Sequence, residues 1–179
     1  MSKRIYILGS VASGKTSMAQ RLSDQLDIPW YELDNVYHSR LSDVGAKLPL
    51  DDRVSIFNKI IVSDKWIIEG VRRECFDVGF EKADTIILLD IPQYIRYYRI
   101  IKRWISQRLG LVKSNYAPTI KMLLKMFEWS MGFEKSKDET LRTLGPYRDK
   151  LIVMKNNKTT VFLSEHQGRQ RQNINSGSS

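Results

Sequence analysis

The chain has 179 residues and a mass of 20.9 kDa, which is the size of a single compact domain. Hydrophobic residues make up 42% and charged residues 27% of it, near the globular average, which excludes a wholly disordered chain and a fibrous repeat. The net charge of +9 comes mainly from residues 93–150, which hold 13 Lys and Arg against 5 Asp and Glu. Such a basic block suits a polyanion, either nucleotide phosphates or a nucleic-acid backbone, or else it is a solvated helical face.

The first half of the chain alternates short apolar runs with amphipathic segments. Arg4–Gly9 (RIYILG) predicts a buried strand that ends where the chain must turn, and Lys15–Leu26 has apolar residues at helical spacing. Asp51 or Asp52 is expected to cap a later helix. Three further strands are predicted at Trp30–Asp34, Trp66–Gly70 and Thr85–Asp90.

The second half is mostly helical in pattern. Pro92 begins a long predicted helix reaching about Leu109, and Gly110–Pro118 predicts a loop. Two helices, at Thr119–Met131 and Glu134–Leu144, and a fifth strand at Leu151–Lys155 follow. Strands that alternate with helices predict an α/β fold with a mostly parallel five-stranded sheet and helices on both faces, formed as one domain over residues 1–164. Residues 165–179 lack apolar periodicity, which predicts a disordered tail.

Several residue types carry no special role. No apolar stretch approaches the roughly 20 residues of a membrane-spanning helix, and no cleavage pattern follows the first apolar run, so we expect a cytoplasmic protein with no membrane partner. Cys75, the single cysteine, is expected to be an ordinary thiol in a reducing compartment. His38 and His166 have no cysteine or carboxylate at metal-ligand spacing, so neither is assigned to a metal.

The segment from residue 9 to residue 16 (GSVASGKT) matches the Walker A pattern G-x-x-x-x-G-K-[ST] between a predicted strand and a predicted helix. Glycines let successive N–H groups curl around an anion, and the helix that follows adds its positive dipole end. Lys15 can reach the β and γ phosphates, and the Thr16 hydroxyl can ligate Mg²⁺. We therefore expect ATP and Mg²⁺ as cofactors rather than a Gly/Ser-rich turn without a ligand. The predicted nucleotide-binding residues are Gly9, Ser10, Val11, Ala12, Ser13, Gly14, Lys15, Thr16 and Ser17.

A P-loop alone does not name the reaction, because GTPases, ATP-driven machines and small kinases share it. An Asn-Lys-x-Asp run, which a GTPase would use to recognise its base, is absent from the sequence, and the domain is too short for a large ATPase. Asp90, at the end of the fourth predicted strand, is a candidate Walker B residue or a cap of the following helix. These features favour the small kinases.

The sequence resembles the adenylate-kinase-like family of small nucleoside and metabolite kinases. More closely, it resembles the bacterial proteins called DNA topology modulation proteins. The resemblance covers most of residues 3–163 and implies the three-layer P-loop NTPase fold with a basic helical lid at about residues 99–148. Besides the P-loop, the segments that carry it are Leu33-Asp34, the WIIEG run at residues 66–70, Leu89-Asp90-Ile91-Pro92 and the basic, Trp-containing helices that follow.

The resemblance also implies roles for three arginines. In nucleotide kinases of this superfamily the third strand commonly ends Asp-Gly-x-Pro-Arg, and here Arg73 falls at the arginine that binds the acceptor's phosphate. Arg72 replaces the proline, which departs from the nucleotide-kinase pattern. Arg99 and Arg103 match the Arg-x-x-x-Arg run that opens the lid, and their spacing puts them on one helical face, where they would counter charge on the transferring phosphoryl group. An exposed basic helix without a ligand is the alternative.

Two carboxylates are predicted at the edge of the sheet where open α/β folds bind ligands. By resemblance to metabolite kinases, Asp34 is expected to orient an acceptor hydroxyl or to hold Mg²⁺ through water; a helix cap or a turn is the alternative role. Glu69, at the end of the third strand, is the second carboxylate predicted to contact the acceptor.

Two functions from different classes fit these features. The first is an ATP-dependent phosphotransferase that passes the γ-phosphate of Mg·ATP to a small-molecule or nucleotide acceptor, with Lys15, Asp34, Arg99 and Arg103 as catalytic residues. The second is a nucleic-acid-associated protein in which the P-loop binds ATP as a switch or a structural ligand. Tyr94, Tyr97, Tyr98 and Trp104 lie within the basic block, a composition that suits base stacking and phosphate contact.

Overall fold

The computed structural model describes residues 3–37, 48–112 and 118–157. The predicted disordered tail and both histidines lie outside these ranges. The strands are β1 (Arg4–Gly9), β2 (Trp30–Glu32), β3 (Trp66–Gly70), β4 (Thr85–Leu89) and β5 (Leu151–Met154). The helices are α1 (Lys15–Leu26), α2 (Leu33–Tyr37), α3 (Leu50–Ile61), α4 (Val78–Lys82), α5 (Gln93–Arg108) and α6 (Ile120–Thr143), with 3₁₀ turns at Glu74–Phe76 and Gly145–Tyr147.

The five strands form one sheet in the order β2-β3-β1-β4-β5, and every pair in it is parallel. Parallel strands need crossover connections, and helices occupy all of those that the structure describes. The predicted α/β fold is therefore confirmed. Since all five strands run the same way, the segments that follow β1, β2 and β3 meet at one edge of the sheet.

Each face of the sheet is covered by a separate apolar core. Alternate residues of the same strand point to opposite faces, so Tyr6 and Leu8 enter one core while Ile5 and Ile7 enter the other. The first core also takes aromatic side chains from α3 and α4, and the second takes one face of α1. Burial on both faces explains why β1, β3 and β4 read as continuous apolar runs rather than as alternating ones.

Two element boundaries differ from the sequence prediction because of tertiary packing. The predicted strand at residues 30–34 ends at Glu32, and Leu33 instead begins α2, with its side chain buried. Leu33 lies so close to Gly70 that a Cβ added there would be 2.7 Å from the Leu33 Cβ. Helix α3 begins at Leu50, so Asp51 and Asp52 lie in its first turn and complement its dipole instead of capping it.

The two helices predicted at residues 119–131 and 134–144 are one 24-residue helix, α6. Gly132 lies in its middle but does not interrupt it, because Phe133 and Leu144 anchor the second half in the apolar core. This packing outweighs the cost of about 1 kcal/mol for a glycine inside a helix. The second half of α6 is thus anchored to the core. No helix in the described ranges is long and apolar enough to cross a membrane.

A buried cation joins α5 to α6. The Arg96 side chain is fully buried, donates a hydrogen bond to the Ser130 carbonyl and forms an ion pair with Glu134. Its guanidinium also lies 5.5 Å from the centre of the Phe133 ring. A buried charge without a partner costs several kcal/mol, so Glu134 is needed wherever Arg96 is buried.

We expect Glu134→Ala to lower the free energy of unfolding by about 2 kcal/mol, because it removes a hydrogen bond between charged groups and leaves Arg96 unpaired. The matched control is Glu128→Ala on the exposed side of the same helix, which should change stability by less than about 0.5 kcal/mol. Urea denaturation measures both. Equal stability of the two variants would contradict the role assigned to this ion pair.

Candidate functional site

The loop from β1 to α1 has the backbone geometry of an anion-binding nest. Gly14 adopts φ +88° and Ala12 adopts φ +58°, and this left-handed region is uncommon for a residue with a side chain. A Cβ on Gly9 would lie 2.6 Å from the Ser13 Oγ, so a larger residue would not fit there. Helix α1 begins directly after Gly14 and directs its N-terminal N–H groups toward the loop.

Polar groups inside the loop are left ready for a ligand. The Ser10 and Ser13 hydroxyls are buried and have no hydrogen-bond partner among the described residues. The Lys15 Nζ donates to the Ser10 carbonyl at 3.3 Å, which keeps its ammonium group at the loop. Buried polar groups normally find partners, so unpaired hydroxyls beside an ammonium group fit a site for a phosphate chain.

Glu69 is the carboxylate that contacts the P-loop. Its Oε1 accepts a 2.7 Å hydrogen bond from the Thr16 hydroxyl, and its Oε2 lies 4.0 Å from the Lys15 Nζ. Burial raises the pKa of Glu69, while Lys15 and the Thr16 hydrogen bond oppose the rise in part. The candidate Walker B residue Asp90 instead forms a 2.7 Å ion pair with Lys137 of α6. Glu69, rather than the candidate Walker B residue Asp90, is thus the carboxylate beside Thr16.

The register of the sheet puts Glu69 between the two halves of the site. It pairs with Ile7 of β1, two residues before the P-loop begins, and with Glu32 of β2, two residues before Asp34. Neighbouring strands lie about 4.8 Å apart, so Glu69 is one strand from each half. Charge repulsion from Glu32 and Asp34 adds to the rise in the pKa of Glu69 that burial causes.

Asp34 and Arg73, both predicted to contact an acceptor, are brought together. The Arg73 guanidinium donates a 2.9 Å hydrogen bond to the Asp34 carboxylate and lies 3.6 Å from the centre of the Tyr37 ring. Arg53 of α3 lies 4.3 Å from the same ring centre. Sequence reasoning missed Tyr37 and Arg53, because their contact depends on how α2 and α3 pack. Arg72 is paired with Asp77 and Glu139, away from this cluster.

Of the two lid arginines, the structure brings only Arg99 to the P-loop. Arg99 donates to the carbonyls of Ser13 at 2.9 Å and Ala12 at 3.3 Å, whereas Arg103 lies exposed one turn further along α5. Arg99 also donates to the Asn157 side chain at 3.3 Å. Asn157 covers Gly14 so closely that a Cβ there would be 2.3 Å from the Asn157 Nδ2. Nothing in the sequence around Asn157 pointed to this contact.

The aromatic residues of the basic block divide into two pairs. Tyr97 packs edge-on against Phe127 with ring centres 4.9 Å apart, and the Trp104 indole donates to the Thr119 carbonyl, so both belong to the contact between α5 and α6. Tyr94 and Tyr98 are exposed. The structure therefore does not assemble the four predicted aromatics into one stacking surface.

Within the described ranges, no group of three or more His, Cys, Asp or Glu side chains is placed to hold a metal ion. Thr16 stays the predicted Mg²⁺ ligand. Because its hydroxyl donates a hydrogen bond to the Glu69 carboxylate, the lone pairs of the hydroxyl oxygen are free to face a cation. Metal bound with the phosphates of a nucleotide commonly has only one or two protein ligands, so these residues fit Mg²⁺ of that kind.

No protein-family model matches the chain, and no curated protein is detectably similar to it in sequence. Among solved structures, the shikimate kinase from Bacteroides thetaiotaomicron superposes with a TM-score of 0.56 at 11% identity, over 96% of each chain. An uncharacterized protein from Eubacterium ventriosum superposes with a TM-score of 0.51 at 17% identity, over 91% of this chain and 96% of the other.

These likenesses, together with the strand order and the P-loop, define the class: the chain has the P-loop NTPase fold. In particular, its five-stranded, all-parallel sheet with helices on both faces has the form that shikimate kinases take. The resemblance to the bacterial DNA topology modulation proteins is not tested by these comparisons and stays a prediction.

We expect Glu69→Gln to stabilise the protein near neutral pH. Because burial raises the pKa of Glu69 above its ordinary 4.5, the folded protein binds this proton more tightly than the unfolded chain does, and stability falls as pH rises above that value. Glutamine keeps an oxygen for Thr16 and removes the buried charge. Thermal denaturation at pH 4 and pH 7 should show the gain in melting temperature at pH 7 only.

The control for this measurement is Glu81→Gln, at an exposed position of α4. It should leave the melting temperature nearly unchanged at both pH values. A Glu69→Gln variant that is less stable than the parent at pH 7 would mean that the ion pair with Lys15 outweighs the cost of burial.

Proposed function

We propose that the protein is an ATP-dependent phosphotransferase that passes the γ-phosphate of Mg·ATP to a small acceptor. The observation that carries this proposal is the register of the sheet, which sets the P-loop after β1 and Asp34 after β2 one strand either side of Glu69. Arg73, which follows β3 itself, joins Asp34 through their ion pair. A phosphoryl donor and an acceptor would then lie side by side, and positioning of this kind supplies much of the catalysis in phosphoryl transfer.

On the donor side, the P-loop N–H groups, the Ser10 and Ser13 hydroxyls and Lys15 would hold the phosphate chain. Thr16 would ligate Mg²⁺, which neutralises charge on the β and γ phosphates when it is bound. Glu69 would keep the lone pairs of the Thr16 hydroxyl oxygen turned toward that cation, because its carboxylate accepts a hydrogen bond from the hydroxyl. In this proposal Glu69 serves the donor side more than the acceptor side to which the sequence assigned it.

On the acceptor side, Asp34 would orient the attacking hydroxyl, or accept its proton as it attacks. Arg73 and Arg53 flank the Tyr37 ring, and together with Asp34 they give this cluster one net positive charge. A second arginine beside Arg73 supports an acceptor that carries a carboxylate or a phosphate group as well as a hydroxyl. Its identity within that class is open.

The α5–α6 pair would supply the lid. Arg99 already reaches the P-loop through backbone carbonyls, and a short turn of its side chain would bring the guanidinium to a phosphate held there. Arg103 would join only if the lid closed further. Closure would exclude water, which would otherwise compete with the acceptor for the phosphoryl group.

ADP release with Mg·ATP tests the reaction. Nucleoside monophosphates, nucleosides and hydroxylated carboxylic acids are offered in turn as acceptors, and we expect one class to stimulate turnover.

Lys15→Ala should weaken ATP binding at least about tenfold with the fold intact, because it removes a charged phosphate contact, and exposed Lys59→Ala should bind ATP normally. Tight ATP binding without stimulation by any acceptor would contradict the proposal, and unchanged affinity in Lys15→Ala would contradict the P-loop assignment.

Once an acceptor is known, the acceptor cluster can be tested by steady-state kinetics. We expect Arg73→Ala and Arg53→Ala each to raise the KM for the acceptor about 10- to 100-fold, the loss of one hydrogen bond to a charged group, and to change the KM for ATP little. Asp34→Ala should mainly lower kcat. Arg148→Ala, at an exposed position, is the control. An equal rise in the KM for ATP would place these residues on the donor side instead.

A further inference from the structure

Helix α5 carries an exposed apolar face that nothing in the described ranges covers. Its members lie four, three, four and four residues apart, which places them within about 80° of the helix circumference. We call it the outer stripe, and it consists of Tyr94 (73% exposed), Tyr98 (65%), Ile101 (44%), Ile105 (44%) and Leu109 (67%).

The outer stripe points away from the rest of the protein. Arg96, Ile100 and Gln107 form the buried face of α5, and they lie on the opposite side of the helix from Ile101 and Ile105. A surface helix of a monomer normally has one apolar face, which it turns to the core. In α5 the side that faces the protein is already formed by other residues, so the exposed apolar residues of the outer stripe indicate that this side meets another surface.

The composition of the stripe selects the kind of surface. Three of its five side chains are aliphatic, and aliphatic side chains gain little from nucleic-acid bases, which bind single strands by stacking on aromatic rings. A protein surface with its own apolar groups would bury all five. The stripe thus fits a protein partner better than the nucleic acid that the basic charge of the segment suggests.

We infer that the partner is a second copy of this chain, joined through α5 about a two-fold axis near Ile101. The positions of the stripe are spaced nearly symmetrically about residues 101 and 102, so the patch can meet its own copy, as a two-fold interface requires. Antiparallel pairing would set Tyr94 of one copy against Leu109 of the other. It would also set Tyr98 against Ile105, so that a large side chain meets a smaller one at each step.

The exposed area is large enough to begin a stable interface. Weighted by their exposures, the five side chains present on the order of 600 Å² in each copy, against about 800 Å² per partner in a standard interface. Helix α6 packs against α5 and exposes further apolar side chains, among them Ile120, Leu124 and Met131. In the dimer, the stripe would supply most of the interface and these side chains of α6 would be the source of the remaining area.

Charge gives the inference a distinctive signature. Residues 93–127 hold eight Lys and Arg and no Asp or Glu, and Lys102 and Arg108 flank the outer stripe. Two copies would therefore bring like charges to the rim of their interface, and salt would screen this repulsion. Dimerisation should tighten as salt concentration rises, whereas binding to DNA or to an anionic membrane weakens under the same change.

Sedimentation equilibrium of the full chain tests the inference, from low-micromolar to hundred-micromolar protein and at low and half-molar salt. We expect a dimer that strengthens with salt. Ile101→Glu and Ile105→Glu should each weaken it at least about tenfold, because they bury a charge at the centre of the interface. The matched control is Ile56→Glu on α3, where an isoleucine is 39% exposed outside the stripe, and it should dimerise normally.

Circular dichroism checks that all three variants fold alike. Ile101→Ala is added as a milder substitution in case the glutamates disturb α5. A chain that stays monomeric at every salt concentration overturns the inference. So does a dimer that Ile101→Glu and Ile56→Glu weaken equally, or one that dissociates as salt rises. Low-salt binding of a DNA oligonucleotide or of anionic vesicles by a monomeric chain would assign the stripe to that partner instead.

Discussion

The site depends on one buried carboxylate. Glu69 is buried, accepts a hydrogen bond from the Thr16 hydroxyl and faces Lys15. Its raised pKa reflects the cost of that burial. Glu69 is held there because β3 lies inside the sheet, with β2 on one side and β1 on the other. A carboxylate held in this way orients the P-loop side chains before any ligand arrives. Such preparation is what electrostatic catalysis of phosphoryl transfer requires.

Helix α6 is tied to the neighbouring elements by charge. Three residues of α6 form ion pairs with three separate elements: Glu134 with Arg96 of α5, Lys137 with Asp90 after β4, and Glu139 with Arg72 after β3. The two partly exposed pairs, those of Lys137 and Glu139, contribute little to stability one at a time, but they help to fix the direction in which the helix lies. The second half of α6 is also held by Phe133 and Leu144, which enter the core, so in the proposed lid closure the pivot would lie there.

Local signals were sufficient for the parts of the site that are continuous in sequence. The P-loop needed only its glycines, its lysine and its place between a strand and a helix, and the hydrogen bond from Lys15 to the Ser10 carbonyl follows from that local geometry. The chance of predicting Arg53, Tyr37 and Asn157 was small, because each acts through elements far apart in the chain. Asp90 and Glu69 show the same limit. In the sequence both lie near the end of a predicted strand, and only tertiary packing pairs Asp90 with Lys137 and Glu69 with Thr16.

The sequence by itself determined the class of fold, the P-loop and the uneven distribution of charge, since apolar periodicity, glycine spacing and ionic residues act over a few neighbouring positions. Tertiary structure alone decided that residues 119–144 form one helix, that Glu69 contacts Thr16, and that α5 has apolar residues on both sides. Each of these depends on which surfaces meet in three dimensions. Burial and the pairing of charges are settled by neighbours in space, which the order of residues does not reveal.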